Sequence, residues 1–504
     1  MLRKARDIRA LVIGTSFVCL LPMRAGYPED QPKLLNPFAG ESEAVKEGRR
    51  LFQSYGCPGC HGLMGGGGMG KPILDDTWQF GSDDETLYKL IKGQIAEQTM
   101  PKTFAGIPDE HVWKLLAYVR SFYKGDPSLI NWGLTPPPDA AARIAALARP
   151  ASAFTPPKGL HDLEIPVPSD NPITAGKIKL GEQLFFDKRL SKGKNMSCET
   201  CHVPEKGWAD GVAFSRKFDG TLNKRHTPTL YGVAFYPELY WDGRVQGLEA
   251  LVPDVMRSQM GTDPDEVAKE LETIPAYKSA FEAELGGPPT PDRMAKALAT
   301  FLRTIHAGDT PFDNLPPEAE DNAAAKGFKV FSEVAHCTLC HLPPIFSDTL
   351  FHNMGVGMDR RRPDPGRGKV LADNAVAAGK PVPPEAKTLT GAFKTASLRG
   401  VPLRAPYFHD GRAKTVEEAA DLMMKGGIPN PHRDEKLKAW PVTPEQRDQL
   451  LAFLRSLTPE SKPYPRPEVP GAPGMTGGPS FRFVPSRSAT VPVPLERRSH
   501  ETLH

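Results

Sequence analysis

Apolar positions recur at helical spacing in three separate stretches of the chain. They run from Pro108 to Phe122, Pro291 to Ile305 and Pro444 to Leu457, with Arg120, Arg303 and Arg455 near their ends. In the second stretch Met294, Leu298, Phe301, Leu302 and Ile305 fall on one face of a 3.6-residue period. The third opens with Thr443-Pro444 and has Gln446 three residues after the threonine, a capping box with proline at the first helical position. A second fragment repeats ahead of each stretch: Gly48-Arg-Arg-Leu51-Phe52, Gly181-Glu-Gln-Leu184-Phe185 and Gly327-Phe-Lys-Val330-Phe331. The pattern predicts a mainly α chain of three units, each with a leading and a closing helix.

One further apolar run, Ala10 to Leu21, follows Arg3, Lys4, Arg6 and Arg9 and precedes small residues at Ala25 and Gly26. It is short for a bilayer span and reads as an export signal over residues 1–25, with an uncleaved anchor as the alternative. No later run reaches 18 apolar residues, which argues against a polytopic helical membrane protein. The 504 residues are 39% hydrophobic and 24% charged, enough for about three domains of roughly 150 residues. Sixty-three basic against 60 acidic residues leave no basic field for nucleic acid. Ten prolines between 126 and 172 predict a semi-rigid linker, and ten more between 459 and 504 a disordered tail.

The cysteines set the chemistry. Cys19 lies in the signal, and the other six occur only as Cys57-Pro-Gly-Cys60-His61, Cys198-Glu-Thr-Cys201-His202 and Cys337-Thr-Leu-Cys340-His341. C-x-x-C-H is the attachment site of c-type haem: two thiols on one turn reach the two vinyl groups and the next imidazole reaches iron. Zinc sites use paired C-x-x-C units, and a redox dithiol has no reason to be followed by His three times. The expected organisation is a signal (1–25), a first haem domain (40–125), the linker (126–172), a second haem domain (173–306), a third (307–458) and the tail (459–504), with three covalent haem c groups.

The last two domains share more than the haem motif. Residues 227–249 align without gaps to 395–417 at a constant offset of 168, with eight of 23 positions identical. This internal duplication predicts one pseudo-symmetric body. The sixth iron ligand then separates the haems, because His/Met ligation closes a haem and raises its potential, whereas an open face binds small oxidants. Met100, 39 residues after His61, is the candidate in the first domain, ahead of Met64 and Met69 in the Gly-rich loop. Met423 is the candidate in the third. Its counterpart in the second is Val255, which cannot coordinate iron, leaving Met256, Met260 and His226 as the residues that could still close that haem.

Residues from about 160 to 458 resemble the bacterial di-haem cytochrome c peroxidase family, including its MauG branch. The carriers are Leu180-Gly-Glu-Gln-Leu-Phe-Phe-Asp187, Ser197 to His202, Thr227-Pro-Thr-Leu230, Tyr240-Trp-Asp-Gly-Arg244 and Tyr407-Phe-His-Asp-Gly-Arg412. Residues 40–125 resemble a class I cytochrome c, notably in the Gly65-rich loop and Met100-Pro101. The resemblance implies that His202 is the proximal ligand of a low-potential peroxidatic haem. It implies that His341 and Met423 hold a high-potential haem, and that Trp241 lies between the two. MauG-type enzymes that modify a protein carry Tyr at the Met423 position, so Met423 leans toward peroxidase.

Three departures from the family stand out. Its distal pocket carries Gln, then Pro four residues on, then a catalytic Glu six beyond; here those positions read Glu249, Pro253 and Gln259, over a segment two residues shorter than usual. Splitting peroxide needs a group that takes and returns a proton, which a carboxylate does and an amide does not. Glu249 is therefore the candidate shuttle, with a structural carboxylate as the competing reading. Phe218 stands where reductively activated members have a displaceable His, so the peroxidatic haem is expected to be open when oxidised. The family's calcium uses an Asn side chain where this chain has His226, with main-chain carbonyls near Arg404 and Pro406 as further ligands, which weakens the case for calcium.

The expected function is that of a periplasmic tri-haem peroxidase reducing hydrogen peroxide, fed by a small c-type cytochrome or cupredoxin, with the first domain as a tethered donor. A homodimer is compatible with the resemblance. MauG-like oxidation of a protein or organic substrate, and a multihaem electron carrier without peroxide chemistry, are the alternatives.

Overall fold

The computed structural model describes residues 34–61, 65–66, 71–74, 78–95, 98, 100, 102–121, 123, 135–147, 152–316, 319–460 and 462–471. The export segment over 1–25, Met64 and Met69 lie outside the described residues. The described chain is mainly helical and divides into two units.

The first unit carries α1 (Ser42–Ser54), α2 (Pro58–His61), α3 (Asp84–Ile91), α4 (Asp109–Ser121) and α5 (Ala140–Ala146). The Asp83 carboxylate starts α3 by accepting from Thr86 N at 2.9 Å. Leu51, Phe52 and Tyr55 on and just after α1 are buried, as are Val112, Trp113, Leu115 and Leu116 of α4. The two helices meet at Gly48, where a Cβ would overlap the Lys114 carbonyl oxygen and Tyr118 Cβ.

The second unit holds two halves. The first contains α6 (Ala175–Phe186), α7 (Leu248–Ser258), α8 (Pro264–Glu272), α9 (Pro275–Leu285) and α10 (Pro291–Leu302). The second contains α11 (Ala323–Lys329), α12 (Gly366–Ala377), α13 (Glu385–Thr388), α14 (Val416–Met424) and α15 (Pro444–Ser456). Each half adds one two-stranded antiparallel ribbon. In the first, β1 (Glu238–Leu239) pairs with β2 (Val245–Gln246) in the register Glu238 to Gln246. In the second, β3 (Phe351–His352) pairs with β4 (Phe393–Lys394), Phe351 facing Lys394. The capping box forms as expected at α15: Gln446 N donates to Thr443 Oγ1 at 3.2 Å, and Thr443 N donates to Gln446 Oε1 at 3.0 Å.

The repeated Gly-x-x-(Leu/Val)-Phe fragment has a packing reason. Gly181 of α6 sits against the Ala297 carbonyl and Phe301 Cβ of α10, and Gly327 of α11 sits against the Gln449 carbonyl and Phe453 Cβ of α15, so a Cβ at either would overlap the opposing helix. The Leu and Phe that follow enter the cores: Leu184 and Phe185 join Trp208, Phe281, Leu298 and Phe301, while Val330 and Phe331 join Phe346, Leu450 and Phe453. The arginine that ends each closing helix also has one job. Arg120 reaches the buried Asp84, Arg303 reaches Glu249 and Arg455 reaches Glu417.

Two proline-rich stretches differ from expectation. The linker expected over 126–172 is packed from residue 152 onward: Asp309 N donates to Lys158 O at 2.8 Å, Arg399 to Gly159 O at 3.0 Å and Arg303 Nε to Pro166 O at 3.0 Å. The tail expected over 459–504 is ordered as far as it is described. Tyr464 stacks on Phe186 and donates to Glu182 Oε1 at 2.5 Å, and Arg466 donates to Glu199 Oε1 at 2.6 Å and Glu205 Oε2 at 2.8 Å. Proline removes donors but leaves carbonyls free, and buried arginines and amides use those carbonyls. Residues 472–504 lie outside the described residues.

Candidate haem sites

All three C-x-x-C-H segments fold into the same turn. The amide of the second Cys donates to the carbonyl of the first at 3.2 Å, and the His amide donates to that same carbonyl at 2.9–3.0 Å. Each imidazole is then held by its Nδ1: His61 on Lys71 O, His202 on Trp208 O and His341 on Phe346 O, all at 2.9 Å. Nδ1 donating to a carbonyl fixes the tautomer with Nε2 as the free lone pair, the arrangement of a metal-ligating histidine. Trp208 and Phe346, which supply two of those carbonyls, both have left-handed backbone, at φ 58° and 53°. Strain repeated at equivalent places in the two halves marks a functional constraint. Burial pushes the Cys57, Cys198 and Cys337 thiols up to about 12 and Cys201 to about 11.

His341, Cys337 and Cys340 open onto a mostly apolar cavity that is partly open to solvent, and Met423 lies on its lining. Met424 also lines it but packs into the core around Phe453. The other half repeats this arrangement: Met256, the counterpart of Met424, is buried in the core of α6 and α10, while Val255 takes the position of Met423. The second methionine of each pair is therefore a core residue. Of the first residues of the two pairs, Met423 lines the His341 cavity, while Val255 packs against the edge of the α6/α10 core.

Similarity to known proteins agrees with this geometry. A family model described as Di-haem cytochrome c peroxidase matches residues 175–321, and one described as Cytochrome C oxidase, cbb3-type, subunit III, matches residues 43–119. The Methylamine utilization protein MauG of Methylorubrum extorquens is 34% identical over 339 residues, covering 66% of this chain and 89% of that protein. The chain belongs to the di-haem cytochrome c peroxidase family. Cytochrome-c peroxidase IdrP1 of Denitromonas iodatirespirans is also 34% identical, covering 66% of this chain and 94% of that protein. Cytochrome c551 peroxidase of Pseudomonas aeruginosa is 30% identical over 64% of this chain and 86% of its own length. Among solved structures, a MauG-like protein associated with microbial copper homeostasis superposes with a TM-score of 0.50 at 25% identity, covering 62% of this chain and 95% of that one. Ahead of the di-haem body this member of the family carries an N-terminal cytochrome c domain.

Within this peroxidase-family body, Trp241 is held from both halves. Its Nε1–H donates to His226 O at 2.7 Å, its carbonyl accepts from Lys394 N at 2.8 Å, and its ring lines the His341 cavity. Met100 is half-buried, its main-chain N donating to Gln98 Oε1 at 2.6 Å; its neighbours Thr99 and Pro101 lie outside the described residues.

Glu249 is not placed as a proton shuttle. Its two oxygens accept from Arg303 at 2.7 and 3.0 Å, and Oε1 also accepts from Asn171 Nδ2 at 2.8 Å. Burial alone would raise its pKa; the Arg303 and Asn171 hydrogen bonds outweigh it and hold the carboxyl below its ordinary 4.5. Its duplicate Glu417 makes the equivalent pair with Arg455 at 2.5 Å, so the position is structural in both halves. The reason is register: the ungapped alignment with the second half places Glu249 at the start of α7, and the shortening relative to the family falls after it. Gln259 caps the end of α7. Its main-chain carbonyl accepts from Phe218 N at 3.0 Å and its side-chain Nε2 lies 3.3 Å from Ser258 Oγ. The Phe218 ring covers Gly261, whose φ of 66° and lack of a Cβ make room for it.

His226 does not supply the side-chain oxygen that the resemblance puts at this place for calcium. His226 Nδ1 is held by Val212 O at 2.7 Å and its own carbonyl is taken by Trp241, while the buried guanidinium of Arg404 helps depress its pKa beyond the effect of burial. Calcium needs six to eight oxygen ligands, and an imidazole beside a fixed cation supplies the opposite. Among the described residues the one cluster of three metal-ligating groups is Cys340, Asp348 and His352. Cys340 is a haem thiol, and His352 is already held between Asp348 at 2.8 Å and Asp434 at 2.6 Å.

The motifs did not single out Tyr240 and Asp254 as a pair. Tyr240 OH donates to Asp254 Oδ2 at 2.6 Å, and the Arg244 guanidinium lies 3.4 Å over the ring. The duplication carries the signal that finds them. The counterpart of Tyr240 is Phe408, which shares its left-handed backbone and lines the His341 cavity, and the counterpart of Asp254 is Leu422.

Proposed function

We propose that this protein is a tri-haem peroxidase that reduces hydrogen peroxide to water. His61 with Met100, His341 with Met423, and His202 would hold the three haems, which would supply the redox couples for carrying reducing equivalents from the first domain to the His202 side. The observation that carries this reading is the Val255/Met423 asymmetry, with both following methionines committed to cores. Cys57/Cys60, Cys198/Cys201 and Cys337/Cys340 hold the three haems. Bound haem supplies the iron that takes up peroxide and the redox couples; the reaction uses two electrons and two protons per peroxide and yields two waters.

The protein's own part is to position groups and move protons. With Glu249 held by Arg303, the Asp254 carboxylate on α7, next to Val255, takes the proton role. Tyr240 holds that carboxylate through its hydroxyl, and its own pKa is raised, by burial first and by the bond to Asp254 second, so the phenol keeps its proton. Trp241, anchored to main chain from both halves, assists electron passage between them. The donor is a small c-type cytochrome or cupredoxin, and export through residues 1–25 places the protein in the periplasm. Among the described residues no helix is long and apolar enough to cross a membrane.

Peroxide-dependent oxidation of a reduced small cytochrome by the holo-protein tests this reading. Turnover from the fully oxidised protein, without prior reduction, is the expected result. No turnover from either the oxidised or the half-reduced protein, with three intact haems, would overturn it.

A further inference from the structure

Two cations face the His341 cavity without an anion to meet them. Arg404 is 7% exposed; its guanidinium donates to the Ser397 carbonyl, and its Nε is buried without a hydrogen-bond partner. Lys394 donates through Nζ to Glu238 O at 3.0 Å and lies 4.2 Å over the Tyr236 ring. Both side chains line the cavity that His341, Cys337, Cys340 and Met423 frame. Among the described residues neither lies within 4.0 Å of a carboxylate oxygen. The carboxylates nearest to Lys394 are already neutralised: Glu238 by Arg367 at 2.5 Å, and Asp242 by Arg225 at 2.6 Å and Arg244 at 2.9 Å.

Other buried guanidinia of this unit are paired. Arg303 has Glu249, Arg399 has Asp313 at 2.8 Å, and Arg225 has Asp242 and Asp364. A buried guanidinium without a counter-charge is strongly unfavourable, and Lys394 beside it is half-buried, with burial pushing its ammonium down to about 7 against the pull of Glu238 and Asp242. A cavity wall that keeps Arg404 and Lys394 together suits an anionic guest, which would hold both in the charged form. A haem c brings two propionate carboxylates on one edge.

We infer that Arg404 and Lys394 receive the propionates of the haem attached at Cys337 and Cys340, and that their positive charge raises the potential of that haem above its twin's. The duplication supplies the contrast. At the offset of 168, Arg404 corresponds to Tyr236 and Lys394 to His226, so the His202 half has neither Arg nor Lys at these two places. Positive charge beside a haem favours the ferrous state, and net charge is one of the levers that set haem potential. The inference rests on haem attachment at Cys337 and Cys340 and stands apart from the peroxide reading, which turnover measures separately.

Potentiometric titration of the holo-protein, followed by haem absorption, tests it. The wave belonging to the His341 haem is identified as the one that Met423→His displaces. In Lys394→Met and in Arg404→Met that wave moves to lower potential while the other two stay in place, and Lys394→Arg returns it to the wild-type position. Three retained haems with an unmoved wave in both methionine variants would overturn the inference. If either variant fails to accumulate, redox infrared difference spectra of the wild-type protein carrying ¹³C-propionate haem decide instead. Ion-paired carboxylate bands at the His341 wave support the inference, and bands of solvated carboxylate there overturn it.

Discussion

The two halves of the di-haem body are copies that have kept their scaffold and diverged at the iron. Both retain the glycine crossing of leading and closing helix, the His held through Nδ1 on a left-handed residue, and the Glu–Arg pair at the end of the closing helix. They differ at Val255 against Met423, Tyr240 against Phe408, Asp254 against Leu422, and His226 and Tyr236 against Lys394 and Arg404. Every one of these differences pushes the same way. On the function proposed above, the His341 half has a soft ligand in Met423 and positive charge, as an electron store needs, whereas the His202 half has the Tyr240–Asp254 pair and valine at the corresponding position. One duplicated scaffold thus supports two tasks through a handful of side chains.

The largest effect is expected from erasing that contrast. Val255→Met should convert the His202 haem to the ligation of its twin, abolish peroxide turnover and give a third low-spin spectrum. Persistent high-spin haem with normal turnover would show that position 255 does not face the iron. Next comes Asp254→Asn, which removes the proton acceptor and leaves the rest of α7 in place. Turnover should fall by about 10²–10⁴-fold with haem spectra and potentials unchanged. Tyr240→Phe makes that half resemble its twin and should cost less, because it removes the group that positions the carboxylate and not the carboxylate itself.

Stability separates the two Glu–Arg pairs by their exposure. The Arg303 side chain is 5% exposed and that of Arg455 is 56%. Glu249→Gln, which leaves a buried guanidinium short of its anion, should cost about 3 kcal/mol, and Glu417→Gln less than about 1 kcal/mol, in denaturant unfolding of the holo-proteins. Because the Glu249 carboxyl is held below its ordinary 4.5, its contribution is fully present above that pH and is lost as pH falls through the lower folded value. The acid limb of the stability profile should therefore flatten in Glu249→Gln. Equal losses in the two variants, or an unchanged acid limb, would mean that exposure does not separate the pairs.

The smallest effect is expected from Arg466→Ala. This exposed residue bridges Glu199 and Glu205, and its hydrogen bonds pull Glu205 down to about 2 despite partial burial. A loss of up to about 1 kcal/mol is expected, with faster proteolysis after residue 460 and no change in turnover.

Haem attachment, module count, helix caps and the duplication were legible in the sequence because each is written in residues a few positions apart. Cys, Cys and His share one turn, Thr443 and Gln446 share one cap, and Gly48, Gly181 and Gly327 precede their Leu or Val and Phe at one spacing. The contrast between Met423 and Val255 was legible one step further, since the duplication compares the two positions without any coordinates. The role of Glu249 was not legible. Its partner Arg303 is 54 residues away and Asn171 is 78, and nothing local tells a carboxylate that will accept a guanidinium from one that will face a substrate. Composition likewise mistook the stretches around Lys158 and Tyr464 for free chain, because proline content reports the donors a backbone lacks and not the carbonyls that distant arginines will find. Arg404 and Lys394 looked like ordinary basic residues until the fold set them on one cavity wall, among the described residues without a carboxylate oxygen within 4.0 Å. Local covalent and helical chemistry was set by the sequence alone; which charges meet, and which stay unpaired on the wall of a haem cavity, was decided when the chain closed on itself, because electrostatic pairing depends on distance in space and not along the chain.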